Sequence, residues 1–136
     1  MGEEIYERFK EVIANFASCM DDYLYVYDMK QDKYYISERA LQRFKIAENE
    51  FQQVNEMHKL FVHEEDFPML SEDLDQMARG EKEYHNLQYR WLGKKGEPIW
   101  INCRGKIIRD EMNVPAYMIG CINEIGKRQK ADNISG

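Results

Sequence analysis

The side chains best able to do chemistry in this chain are three cysteines and three histidines, and their spacing excludes most familiar uses. Cys19, Cys103 and Cys121 form no C-x-x-C pair, so neither a zinc ribbon nor a thioredoxin-type dithiol can be built from them. His58, His63 and His85 fall in no HxxxH or HExxH pattern, and the chain has no G-x-S-x-G, P-loop or GxGxxG. No catalytic residue and no metal site is expected. A sparse, odd cysteine count fits a reducing cytoplasm. If a hairpin turn is centred near Met112, Cys103 and Cys121 come almost opposite one another. They are then either packed thiols or, as the alternative, a redox pair.

Composition agrees with a domain that lacks catalytic equipment. The chain has 136 residues and a net charge of −6, and 43% of it is hydrophobic, which is one globular domain. An acidic surface repels phosphate backbones, so no nucleic-acid partner is expected. No apolar run reaches the ~20 residues of a membrane helix, and no signal peptide opens the chain, so no membrane partner is expected.

The elements that would position these residues follow from hydrophobic period. Ile5, Phe9, Val12, Ile13, Phe16 and Met20 recur at three- and four-residue steps, an amphipathic helix over residues 3–20. Tyr23 to Met29 is apolar or aromatic on both alternating sets, which predicts a central strand; a short strand at Tyr34–Ile36 follows. Ser37 is a candidate cap for a helix from Glu38 to Phe44. Residues 45–62 are less regular, with Phe51, Val54, Met57, Leu60 and Phe61 turned to the core. Asp66 is a candidate N-cap and Pro68 a tolerated first-turn residue of a helix that Gly80 ends. The acidic stretch from Glu64 to Asp75 reads as its solvated face. Period two then returns in three strands joined by turns at Lys94-Lys95-Gly96 and Asp110–Asn113. Strands around a helical insert predict an α+β domain with an antiparallel sheet, the first and last strands at its centre.

On these residues the chain resembles a PAS domain. His63-Glu64-Glu65-Asp66 is similar to the family's His-Pro-x-Asp helix start, with Glu64 in place of proline. Tyr89-Arg90, Gly96 and Trp100 match its Tyr-Arg…Gly…Trp hairpin, and the run from Gly120 to Arg128 resembles its closing Gly-x-x-x-Asp-Ile-Thr-x-Arg, with Glu124 for aspartate and Gly126 for threonine. The resemblance implies a PAS fold: a five-stranded antiparallel sheet in the order 2-1-5-4-3, helices on one face, and an N-terminal amphipathic helix. Residues 131–136, Ala-Asp-Asn-Ile-Ser-Gly, are similar to the segment that opens GGDEF (diguanylate cyclase) domains. The implied organisation is a helix at 1–21, a PAS domain at 22–125, and a linker at 126–136 towards a GGDEF domain in cis.

The resemblance also implies functional positions. A ligand between sheet and helices would meet Leu74, Met77, His85, Leu87, Tyr89, Trp91, Ile101 and Cys103, which otherwise simply fill the core. Haem is not expected, because Phe67–Arg79 contains no histidine and His63 reads as a capping or packing residue. Asn102-Cys103-Arg104 shares three letters with the cysteine segment of photoactive flavin domains but lies in a strand, so flavin is not expected either. Ile5, Phe9, Val12, Ile13 and Phe16 are the candidates for a homodimer helix, and Glu124, Ile125 and Gly126 for transmission to the output domain. The implied function is a cytoplasmic sensor that binds a small ligand or relays a signal to a diguanylate cyclase. A ligand-free dimerisation and transmission module is the alternative, and a small α+β enzyme a remote one.

Overall fold

The segments of period two become one antiparallel sheet. Its strands are β1 (Tyr23–Asp28), β2 (Lys33–Ile36), β3 (Glu50–Gln52), β4 (Tyr84–Leu92), β5 (Pro98–Arg109) and β6 (Pro115–Glu124). The helices are α1 (Gly2–Phe16), α2 (Ala40–Arg43), α3 (Val54–Phe61) and α4 (Phe67–Ala78). The structure, a computed structural model, describes residues 2–126; the rest of the expected linker, with its GGDEF-like segment, lies outside the described residues.

Among the described residues the sheet has six strands in the order β3-β2-β1-β6-β5-β4. This corrects the expected five strands and their order. The added edge strand is β3, which pairs with β2 and sets Phe51 opposite Tyr34. With three residues and one buried side chain, it is too short to show an alternation in sequence.

The central pair, β1 and β6, is apolar on both faces because both faces are covered. On one face Tyr23, Tyr25, Ile101, Cys103, Met118 and Ile122 meet the inserted helices. On the other, Val26, Ala116 and Tyr117 pack against Tyr6 and Ile13 of α1. The Tyr6 hydroxyl donates to Glu50 at 3.0 Å, and Lys10 binds the same carboxylate at 2.9 Å, so α1 is fastened to its own sheet.

The helical insert differs from its sequence reading in four places. Ser37 is no cap: its hydroxyl oxygen accepts the Leu24 N–H at 2.9 Å, and α2 begins later, at Ala40. In α3 the inward positions are Val54, His58 and Phe61, while Leu60 is 60% exposed. Asp66 makes no capping bond, because β4 takes its carboxylate. Asp66 and Asp73 are both buried, so the acidic stretch is only partly a solvated face. Pro68 does occupy the first turn of α4, and Gly80 follows that helix with φ +77°, which a side chain would oppose.

Candidate functional site

The interior between the sheet and α3–α4 is built from tyrosines. Tyr25 on β1 stacks on Tyr34 of β2 with ring centres 5.5 Å apart, and Tyr34 stacks on Phe51 at 4.9 Å. Two glycines make room for Tyr25. Gly105 and Gly120 face each other across β5 and β6, and Gly120 faces Tyr25 across β1 and β6. A Cβ at Gly120 would collide with the Arg104 carbonyl, and one at Gly105 with the Tyr25 hydroxyl. In the space they leave, the Tyr25 hydroxyl donates to the Arg104 carbonyl at 3.3 Å and accepts from the Cys103 thiol at 3.5 Å.

Charged groups are buried beside this stack. His85 on β4 is 2% exposed, and its Nδ1 bonds the buried carboxylate of Asp73 on α4; Lys82 pairs with the other carboxylate oxygen. Burial alone would lower the His85 pKa, but Cys103 and the Asp73 carboxylate outweigh it and raise it to about 10. Burial raises the Asp73 pKa, yet the hydrogen bonds from His85 and Lys82 win and hold it below the usual range. At neutral pH this is an imidazolium–carboxylate pair. Burial pulls His58 on α3 the other way, to about 3, with the charge of His85 adding to the effect, so His58 is neutral. Burial, then Cys103, push the phenols of Tyr25, Tyr34 and Tyr89 far up, so all three remain hydroxyls.

A void of about 10 Å³ is lined by Tyr25, Tyr34, His58, His85, Tyr89 and Cys103, among others. That is room for about one water molecule. No organic molecule of several heavy atoms fits it. Among the described residues, no group of three His, Cys, Asp or Glu side chains converges on a metal position.

Two clamps hold the frame around the interior. The Asp66 carboxylate accepts the Arg90 backbone N–H at 2.9 Å and its guanidinium at 2.8 Å on both oxygens, while Arg90 lies over the Trp100 ring. Those bonds outweigh burial and keep the Asp66 pKa below the ordinary carboxylate range. The second clamp closes on the end of β6. Arg43 of α2 binds Glu124 through two bonds of 2.8 and 2.9 Å, and the Tyr23 hydroxyl reaches the same carboxylate at 3.4 Å.

Residues 33–122, from the start of β2 into β6, match the family model described as the PAS fold. The chain belongs to the PAS fold family. A search of curated protein sequences finds no match. Among solved structures, a sensory box histidine kinase/response regulator from Burkholderia thailandensis E264 is 17% identical, with 88% of each chain covered and a TM-score of 0.65. The N-terminal domain of a diguanylate cyclase with PAS/PAC sensor from Marinobacter aquaeolei is 18% identical, covering 78% of this chain and 96% of that one, with a TM-score of 0.64. A domain of a light and redox sensing histidine kinase from Haloarcula marismortui, named as putative, is 13% identical, covering 88% and 98%, with a TM-score of 0.60. At such identities the likeness is one of fold.

Within this PAS domain the sequence-derived pocket residues separate. Leu74, His85, Tyr89 and Cys103 line the void. Met77, Trp91 and Ile101 are buried in the surrounding core, and Leu87 packs against it half-buried. Sequence reasoning missed Tyr25, Tyr27, Tyr34, His58, Leu70 and Met118, which also line the void. The alternation of Tyr23, Tyr25 and Tyr27 was the available signal for the tyrosines. His63 makes a local turn, its Nδ1 accepting the Glu65 N–H at 3.1 Å. Cys103 and Cys121 are not opposite each other: Cys103 pairs with Ile122 and Cys121 with Arg104, which puts the two thiols on opposite faces of the sheet and removes the redox pair. Of the dimer-helix candidates, Ile13 and Phe9 pack on the chain's own sheet, while Ile5, Val12 and Phe16 are exposed. Beside them an apolar trough of about 480 Å³ runs along Leu24, Ile119 and Cys121. No described helix is long and apolar enough to cross a membrane.

Proposed function

We propose that this PAS domain is a cytoplasmic relay that controls a diguanylate cyclase (GGDEF) domain joined to it in cis, and hence cyclic di-GMP synthesis, without a bound organic ligand. The observation that carries the relay is the clamp on Glu124. The last strand leaves the sheet there, and its carboxylate is tied to α2 by Arg43 and to the core by Tyr23. Among the described residues the interior between sheet and helices holds a void of only about 10 Å³ to absorb a change of packing, so such a change reaches Glu124, Ile125 and Gly126. Gly126 carries no side chain to restrict its backbone. The GGDEF assignment is supported by the sequence of residues 131–136 and by the Marinobacter neighbour, which is itself the N-terminal domain of a diguanylate cyclase. The relay works in a homodimer, in which the exposed stripe of Ile5, Val12 and Phe16 is covered by a second copy.

The test is cyclic di-GMP formation by the intact protein carrying Glu124→Ala or Arg43→Ala. We expect a change of about fivefold or more in either variant, with this domain still folded by circular dichroism. Unchanged activity in both variants removes the relay. Absence of cyclase activity in the unmutated protein removes the GGDEF assignment.

A further inference from the structure

The relay leaves one part of the interior unused. The Cys103 thiol lies 3.5 Å from the Tyr25 hydroxyl, and Cys103 is the same-face diagonal neighbour of His85 across β5 and β4; both line the void, and the His85 Nδ1 is held by the Asp73 carboxylate. A thiol, a histidine and a carboxylate in series is the arrangement that sets a proton carrier against a nucleophile and fixes its orientation. The void of about 10 Å³ opens onto the same sulfur. His58 lines that void too, is 4% exposed, and has no hydrogen-bond partner for its Nδ1. A buried polar atom without a partner is costly in a fold. Here it sits on the wall of a space that admits one small hydrogen-bonding group.

We propose that Cys103 is a modification site for hydrogen peroxide, converted to a sulfenic acid whose oxygen occupies the void beside His58. The step is Cys103–SH + HOOH → Cys103–SOH + H₂O. The sulfur attacks one peroxide oxygen, so an S–O bond forms as the O–O bond breaks. Sulfur is oxidised by two electrons and the peroxide is reduced to water. His85 gives a proton to the departing oxygen and takes the thiol proton in return, which leaves the charge of the cluster unchanged. The new S–OH donates to His58 Nδ1.

The geometry also sets selectivity and extent. Cys121 is on the other face of the sheet, away from His85, and burial and Asp22 push its thiol pKa up, which leaves less of it as thiolate. It cannot close a disulfide onto Cys103. The void receives the one oxygen that peroxide transfers, and once it is filled a second peroxide has no place for another, so oxidation stops at the sulfenic acid.

The experiment exposes the 136-residue chain to hydrogen peroxide, removes the peroxide with catalase, unfolds the chain in urea containing a 1,3-dione to trap the sulfenic acid, and maps the adduct by peptide mass spectrometry. The rate at Cys103 is compared between the folded chain and the chain unfolded in urea. The expected result is labelling of Cys103 that is at least about tenfold faster in the folded chain. His85→Gln and Asp73→Asn should slow Cys103 and leave the exposed Cys19 unchanged. His58→Phe, which fills the void, should block Cys103. Equal or slower oxidation of Cys103 in the folded chain overturns the proposal. That comparison uses the unmutated chain, so it decides even if the variants do not fold. The readout is chemical and involves no cyclase, so its failure is distinct from failure of the relay.

Discussion

Two buried histidines displaced in opposite directions set the pH range over which this domain is stable. His85 goes from an ordinary 6.5 up to about 10, and His58 from 6.5 down to about 3. Between 6.5 and 10 the folded chain keeps a proton on His85 that the unfolded chain has released. The stability from this group is therefore complete below 6.5 and is lost as the pH rises towards 10. Mid-window the loss is ~1.4 kcal/mol per pH unit, so going from about pH 7 to about pH 9 removes ~2–3 kcal/mol. On the acid side the unfolded chain protonates His58 first, and stability falls as pH drops from 6.5 towards 3. His85→Gln isolates the alkaline limb because glutamine does not titrate. Urea denaturation of both proteins from about pH 6 to about pH 9 should show their stability difference shrinking by ~2–3 kcal/mol as His85 loses its proton. Stopping near pH 9 avoids Cys121 and the buried tyrosines, whose raised pKa values bend the profile only above that point. A difference that stays constant across the range would refute the buried imidazolium.

The Asp66–Arg90 clamp should be energetically real. Asp66→Ala should cost ~2–4 kcal/mol in urea denaturation, because it strands a partly buried guanidinium, and Arg90→Lys should recover only part of the pair because it loses the two-pronged geometry. Additive effects in the Asp66→Asn, Arg90→Met double-mutant cycle would show the pair to be uncoupled. Val12→Lys combined with Phe16→Lys should convert a dimer to a monomer in light scattering at a stability cost below ~1 kcal/mol, since the two side chains are 50% and 55% exposed. An unmutated chain that is monomeric at high concentration would remove the dimer.

Legibility in the sequence followed the range of the interactions. The strands and α1 were readable because their signal, the period of apolar residues, is local. The burial of Asp66 and Asp73 was not, because a carboxylate enters an interior only when its counter-charge arrives from elsewhere. Arg90 is 24 residues from Asp66, and His85 is 12 from Asp73. Both acids stand among solvated neighbours, and composition alone makes them part of that face. His58 was hidden similarly, as a polar residue at the inward position of a helix whose outward Leu60 looked like core. The cysteine register failed for a geometric reason. Next to the turn Arg109 faces Pro115, as a symmetric hairpin demands, but a bulge between Ile108 and Arg109 shifts everything beyond by one residue. One residue is a whole face in a strand, so Cys103 moved to the interior side and Cys121 to the side of α1.

The placement of α2 gives this arrangement a mechanical consequence. Its Arg43 holds Glu124 where β6 ends. One turn earlier, Arg39 donates to the carbonyls of Met20, Asp21 and Asp22 at 2.8–3.0 Å, where the chain passes from α1 into β1. Tyr23 stands between them: Arg39 lies over its ring, Phe44 packs against its edge, and its hydroxyl reaches Glu124. The way in from α1 and the way out of β6 are thus gripped by one short helix and the residue that precedes it, and share one tyrosine. Tyr23 points to the same face of β1 as Tyr25, the residue that touches Cys103. A densely packed interior transmits a displacement rather than absorbing it. Tyr25 and Tyr23 lie in the same buried cluster, two residues apart on one face of β1, so the step from an added atom beside Tyr25 to the Glu124 clamp and to the connection with α1 is a short one.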